Sequence, residues 1–105
     1  MDKSLESAET SPVYLRTCIV EPILITCLKE RSFYDIYNSI QDIEAISERI
    51  LRKYLYHLIN EGFLKYHAER KVFVTSPWGA DLLVLIYNQI QQNQTCYLDL
   101  KIKVG

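Results

Sequence analysis

Ser47-Glu-Arg-Ile-Leu-Arg-Lys-Tyr-Leu-Tyr-His-Leu-Ile-Asn-Glu-Gly62, running directly into Phe63-Leu-Lys-Tyr-His-Ala-Glu-Arg-Lys-Val-Phe-Val-Thr75, is the stretch on which the fold turns. At about 100° per residue, Leu51, Tyr54, Leu55 and Leu58 gather on one side of a helix, with Ile50 and Ile59 flanking them. Arg49, Arg52, Lys53, Tyr56, His57 and Asn60 occupy the other side. Ser47 suits the N-cap, Ile46 and Leu51 are spaced as a hydrophobic staple around it, and Gly62 suits a left-handed cap at the far end. Phe63 to His67 and Lys71 to Thr75 then have strand composition around a turn at Ala68-Glu69-Arg70. Surface helices commonly carry Lys and Arg only to stay solvated. Here the outer stripe has acids only at its two ends, Glu48 and Glu61, and mixes its cations with Tyr and Asn, which can bond phosphates or base edges.

Upstream, Ser32-Phe-Tyr-Asp35 fits a capping box in which a carboxylate stands at the third helical position. The helix it opens runs through Ile36 and Ile40 to about Asp42, and a short linker leads to Ser47. Ser11-Pro12 and Glu21-Pro22 each offer a helix start, so residues 12–30 read either as one helix kinked at Pro22 or as two short ones. Both readings turn Leu15, Cys18, Ile19, Leu24, Cys27 and Leu28 inward.

Downstream, Ser76-Pro77-Trp78-Gly79 restarts a helix that continues to about Gln92. Leu82, Leu83, Val84, Leu85, Ile86, Tyr87 and Ile90 leave it almost no polar face, so it needs cover on two sides. The second cover is either another copy of the chain, docked on Leu83, Ile86, Tyr87 and Ile90, or the chain's own tail folded back. Leu98-Asp-Leu-Lys-Ile-Lys-Val104 alternates with period two and reads as an amphipathic strand. A strand at a terminus needs a partner, which the hairpin or a second copy could supply.

A chain of 105 residues, 49% hydrophobic and 24% charged, has room for one small domain. The expected division is a flexible start over 1–11, a domain over 12–92 and a tail over 93–105. No run reaches the roughly 18 apolar residues of a membrane helix, and the first ten residues lack the basic and apolar regions of a leader, which predicts a cytoplasmic protein. Net charge is −1, which argues against a non-specific nucleic-acid coat. The charge is nonetheless segregated: residues 1–48 hold four cations and nine anions, 49–71 hold six and two, and 72–105 hold two and two. A basic patch set against acidic surface would orient the molecule on a polyanion.

Three cysteines are too few and too scattered for a disulfide framework. Cys18 and Cys27 suit the core, while Cys96, after the polar Asn93-Gln94-Thr95, is the candidate for an intermolecular disulfide or a redox-sensitive thiol. With three glycines there is no phosphate-cradling loop, and His57 and His67 lack metal-ligand spacing with each other or with a cysteine. Neither an enzyme, nor a metal site, nor a cofactor is expected.

The order helix, helix, turn, helix, hairpin, helix, the Tyr-Leu-x-x-Leu-x-x-Glu-Gly-Phe-Leu type of junction at Tyr54 to Leu64, and the Thr75-Ser-Pro-Trp-Gly79 restart together resemble the winged helix-turn-helix transcription regulators. The likeness covers about residues 21–92 and is closest to small PadR- and MarR-like proteins of prokaryotes, in the Ile- and Tyr-rich style of archaeal and archaeal-virus versions. Phe33-Tyr-Asp-Ile36 matches the Gly-Tyr-Glu-Ile of PadR-like proteins, and Ser76 to Gly79 matches their Thr-x-x-Gly. The chain departs from the pattern in lacking a glycine before Ser47 and in a short hairpin whose only unambiguous cations are Arg70 and Lys71.

The resemblance implies an α+β, mostly helical fold: a winged helix-turn-helix with a two-stranded wing, a C-terminal dimerisation helix and a strand-forming tail. It also implies sequence-specific binding of double-stranded DNA by a homodimer on a pseudo-palindromic site, in the cytoplasm, or in the host cytoplasm if the source is viral. Residues 48–60 would enter the major groove, with Arg49, Arg52, Lys53 and Tyr56 facing the bases. Ser32, Tyr34, Ser47, His57, Asn60, Lys65, Arg70 and Lys71 would bond phosphates, the hairpin 63–75 lying on the backbone or in the minor groove. The rival expectation is a protein-interaction module of the same fold that does not bind DNA.

Overall fold

Two serine caps set the register of the middle of the chain in the computed structural model, which describes residues 13–93 and 101–104. Ser32 Oγ accepts the Asp35 N–H at 3.2 Å while Asp35 Oδ2 accepts the Ser32 N–H at 3.4 Å, closing the capping box that starts helix α2, Phe33–Gln41. Ser47 Oγ accepts the Ile50 N–H at 3.1 Å and starts helix α3, Glu48–Asn60. Each hydroxyl satisfies one of the donors that a helix start leaves without an intrahelical partner. Leu51, Tyr54, Leu55 and Leu58 are buried on the inner side of α3, as their spacing requires. At its end the Phe63 N–H reaches the Leu58 carbonyl at 2.9 Å and the Gly62 N–H reaches Ile59 at 3.0 Å, a closure that needs the left-handed φ of +86° at Gly62.

That closure aims the chain into the antiparallel hairpin of β2, Leu64–His67, and β3, Val72–Thr75. The hairpin is fastened on its far side. Arg31 exchanges two backbone hydrogen bonds with Phe73, at 3.0 and 2.7 Å, while the Thr75 N–H and Oγ1 donate to the carbonyls of Cys27 and Leu24, both at 2.7 Å. Ser76 then caps helix α4, Pro77–Asn93, accepting the Gly79 N–H at 3.0 Å and donating its own proton to the Gly62 carbonyl at 2.6 Å. The helix start is so close to the α3–β2 junction that a Cβ at Gly79 would lie 2.2 Å from the Phe63 carbonyl oxygen.

The beginning of the described chain differs from both helical readings of residues 12–30. Val13–Arg16 form strand β1, paired antiparallel with β4, Lys101–Val104, in the register Val13 to Val104 through Arg16 to Lys101. Leu15 and Val104 turn into the core, and Tyr14 and Lys103 turn out. A partner some ninety residues away thus decided a segment whose local signal was helical, because period-two alternation on both sides buries one apolar face. The tail's partner is β1 of the same chain, not the hairpin. A single helix α1, Thr17–Thr26, follows and contains Pro22 without ending there. Proline withholds one N–H from the ladder, while Ile19, Val20, Ile23 and Leu24 around it are fully packed. Ser11 and Pro12 lie outside the described residues.

The described residues therefore make a small α+β fold, mostly helical, with four helices and two two-stranded antiparallel sheets. One apolar cluster joins them, drawn from β1, α1, α2, α3, β2 and β4. Tyr54 of α3 belongs to it, yet its hydroxyl accepts the Arg16 N–H at 3.0 Å, which ties the terminal sheet to α3. Leu28 was expected inside and is 55% exposed: it follows the end of α1, where the chain has left the helical path that would have carried it to the core.

Candidate nucleic-acid interface

On α3 the residues opposite the core are open to solvent. Arg49, Lys53, Tyr56 and Asn60 form its outermost line, at spacings of four, three and four residues, and all are exposed, Tyr56 to 64%. His57 is half-buried beside it, its ring meeting that of Tyr56 edge-on at 5.3 Å. Arg52 flanks the line on the side of α2. Its guanidinium stands 4.1 Å above the centre of the Phe33 ring, and Nη2 lies 3.7 Å from Glu48 Oε1 one turn back.

Ser32 and Ser47 each accept a backbone N–H as caps, and each keeps a hydroxyl proton for a further acceptor. Tyr34 is exposed and rests edge-on against Phe33 at 5.1 Å. Lys65 is exposed on β2. At the hairpin tip the two cations differ. Both are exposed, but Arg70 is ion-paired with Glu30, which stands just before the bridging residue Arg31, whereas Lys71 lies outside that pair and holds a φ of +55°. A lysine in that conformation costs about 1 kcal/mol relative to glycine, and in return the tip keeps a second positive charge.

Sequence reasoning missed Arg31 and Glu30. Arg31 serves through its backbone and through Nε, which donates to the Thr26 carbonyl at 3.3 Å. Nothing in a one-residue bridge announces itself by periodicity. Glu30 could have been suspected only once the bridge had brought it beside the tip.

The four residues expected at a dimer interface separate in space. Ile86 is 6% exposed and belongs to the interior, Leu83 is half-buried against the core, Ile90 is half-buried, and only Tyr87 points outward. The helix packs inward along the line that includes Gly79, Leu83 and Ile86, so the apolar side chains left outside are Trp78, Val84, Leu85 and Tyr87. Phe63, Leu82 and Asp81 join Trp78, Val84 and Leu85 around an open groove of about 510 Å³. Cys96 lies outside the described residues.

Cys18 and Cys27 are buried and free. Burial pushes the Cys27 thiol up to about 12, with the nearby Arg31 charge pulling weakly the other way, so this sulfur stays protonated and unreactive at neutral pH. Among the described residues no helix is long and apolar enough to cross a membrane, and no group of three or more His, Cys, Asp or Glu is gathered as a metal site. Compared with protein-family models, curated proteins and solved structures, the chain finds no significant match in any of the three.

Proposed function

We propose that the protein is a double-stranded DNA-binding transcription regulator of winged helix-turn-helix type, with α3 as recognition helix and the β2–β3 hairpin as wing. The observation that carries the reading is the outer line of α3. Arg49, Lys53, Tyr56 and Asn60 are exposed together on a helix whose opposite side is packed into the core. A rigid helix of 13 residues presenting two cations, a phenol and an amide in one line matches what a major groove offers: phosphate oxygens at its walls, acceptors and an amine on its floor. The hairpin supports the reading because the Arg31 bridge and the Thr75 bonds hold it to the same body, so that Lys71 and α3 could meet one duplex at a fixed separation.

The reading includes a homodimer, docked in this proposal through the outward residues Trp78, Val84, Leu85 and Tyr87, since a single domain of this size would grip a few phosphates only. It involves no cofactor, metal, membrane or catalytic step, and a cytoplasmic setting. Selection from a random duplex pool, followed by a salt titration of the selected sequence, tests it. A two-fold consensus is expected, together with a steep linear fall of log affinity with log salt. No enrichment, or binding indifferent to salt, would leave the second reading, an interaction module, which is favoured by the exposed Ile25, Leu28 and Ile43 on the α1–α2 side.

A further inference from the structure

We infer that Arg52 is a positioning residue, which fixes α3 against α2 through the Phe33 ring, and that Arg49, Lys53 and Tyr56 read the duplex without it. The inference rests on the DNA-binding reading above and divides its cationic side into two jobs. Taking the line of Arg49, Lys53, Tyr56 and Asn60 as the outward direction, Arg52 falls roughly 70° to one side of it by helical geometry. That side is occupied. The guanidinium caps the face of Phe33 at 4.1 Å, and Glu48 approaches its Nη2 to 3.7 Å.

Phe33 is itself held in place. It is the first residue of α2, packs against the core, lies near-parallel to Tyr37 at 6.3 Å and meets Tyr34 in a T-shaped contact at 5.1 Å. Arg52 thus ends on a fixed platform at the start of one helix while rooted in the first half of the next. The negative face of the ring attracts the cation, and the planar guanidinium covers it better than an ammonium would. The turn joining α2 to α3 has no glycine, and its own side-chain tie is Gln41 Nε2 donating to the Ile46 carbonyl at 2.7 Å. Arg52 on Phe33 supplies a second tie, farther along α3, which adds to the shared core in fixing the angle between the two helices. Reaching a base would require the side chain to leave both partners.

The test uses the full chain and the duplex selected by the wild-type protein, with Arg52→Ala, Phe33→Leu, the double variant and Phe33→Tyr. A positioning role predicts that Arg52→Ala and Phe33→Leu each weaken binding by the same factor, about two- to fivefold. The double variant should be no weaker than either alone, and Phe33→Tyr should bind as wild type. The slope of log affinity against log salt and the preferred sequence should stay unchanged in all four. A slope reduced by about 1, or a preference relaxed at one base pair, in Arg52→Ala with Phe33→Leu binding normally would overturn the inference, as would losses that multiply in the double variant. A measurement without DNA separates this claim from the reading it rests on. In the free protein the Arg52 side-chain protons should be shifted upfield by the ring, a shift lost in Phe33→Leu and kept in Phe33→Tyr. If the wild type lacks that shift the tie does not exist, whatever DNA does; if the shift is there and no duplex is bound, the DNA reading fails alone.

Discussion

The cations of the proposed interface stand in two places, α3 and the hairpin tip, and the two are not equivalent. On α3 they stand on a capped helix whose side chains point away from the core, and Arg49 and Lys53 keep their charge toward solvent. At the hairpin tip Arg70, though exposed, is turned onto Glu30, leaving Lys71 as the cation outside that pair. A helix separates its inward and outward residues by geometry alone, so charge on the outer line stays available. A tip has no such separation, and a nearby acid decides how much of its charge remains. Under the proposed DNA-binding function, the difference would give α3 most of the affinity and the sequence reading, with the hairpin as a secondary contact.

Replacing Arg49 and Lys53 together by Ala should therefore have the largest effect. Two contacts of about 1 to 3 kcal/mol each correspond to a loss of about thirtyfold or more in DNA affinity, with helix content by circular dichroism unchanged. Retention at wild-type strength would break the comparison outright. Next comes the joint between the two regions. Gly79→Ala would ordinarily favour a helix by about 1 kcal/mol. Here the new Cβ meets the Phe63 carbonyl oxygen at 2.2 Å and Thr75 Cγ2 at 2.8 Å, so a net destabilisation of about 1 to 3 kcal/mol is expected in urea unfolding. Hydrogen exchange should show protection falling at β2 and β3 before it falls in α3.

Smaller effects divide the tip itself. Lys71→Ala should reduce the salt slope of DNA binding by about 1 and weaken affinity a few-fold, whereas Arg70→Ala should do less, because its charge is already countered. Equal effects would mean that DNA displaces Glu30 freely. Smallest of all, Glu30→Gln should tighten DNA binding by about twofold, since the pair it removes is solvent-exposed and such pairs are weak. A twofold loss in gel-shift titration would instead cast Glu30 as a brace for the tip.

The middle of the chain was legible because its signals are local. Ser32 with Asp35, Ser47, Gly62 and Ser76 each mark an element boundary through a bond spanning only a few residues, and all of them are made. The outer line of α3 could be read the same way, since 3.6-residue periodicity is a property of sequence. The fate of individual cations could not. Arg52 and Arg70 look as available as Arg49 and Lys53 until Phe33 and Glu30, 19 and 40 residues away, are brought beside them. The inward side of α4 could not be read for a related reason: a helix apolar nearly all round carries no internal mark of which side is in, and its neighbours chose Leu83 and Ile86.

By itself the sequence determined, to within about a residue, where α2, α3, the hairpin and α4 begin and end, and that α3 has one apolar and one cationic side, because caps and periodicity act within a turn or two of helix. Only the tertiary structure decided that Val13–Arg16 is a strand, that the tail Lys101–Val104 is its partner, and which charges remain open. Those outcomes depend on contacts between residues far apart in the chain, whose energies outweigh a local preference of a few tenths of a kcal/mol per residue and leave no trace in any short window.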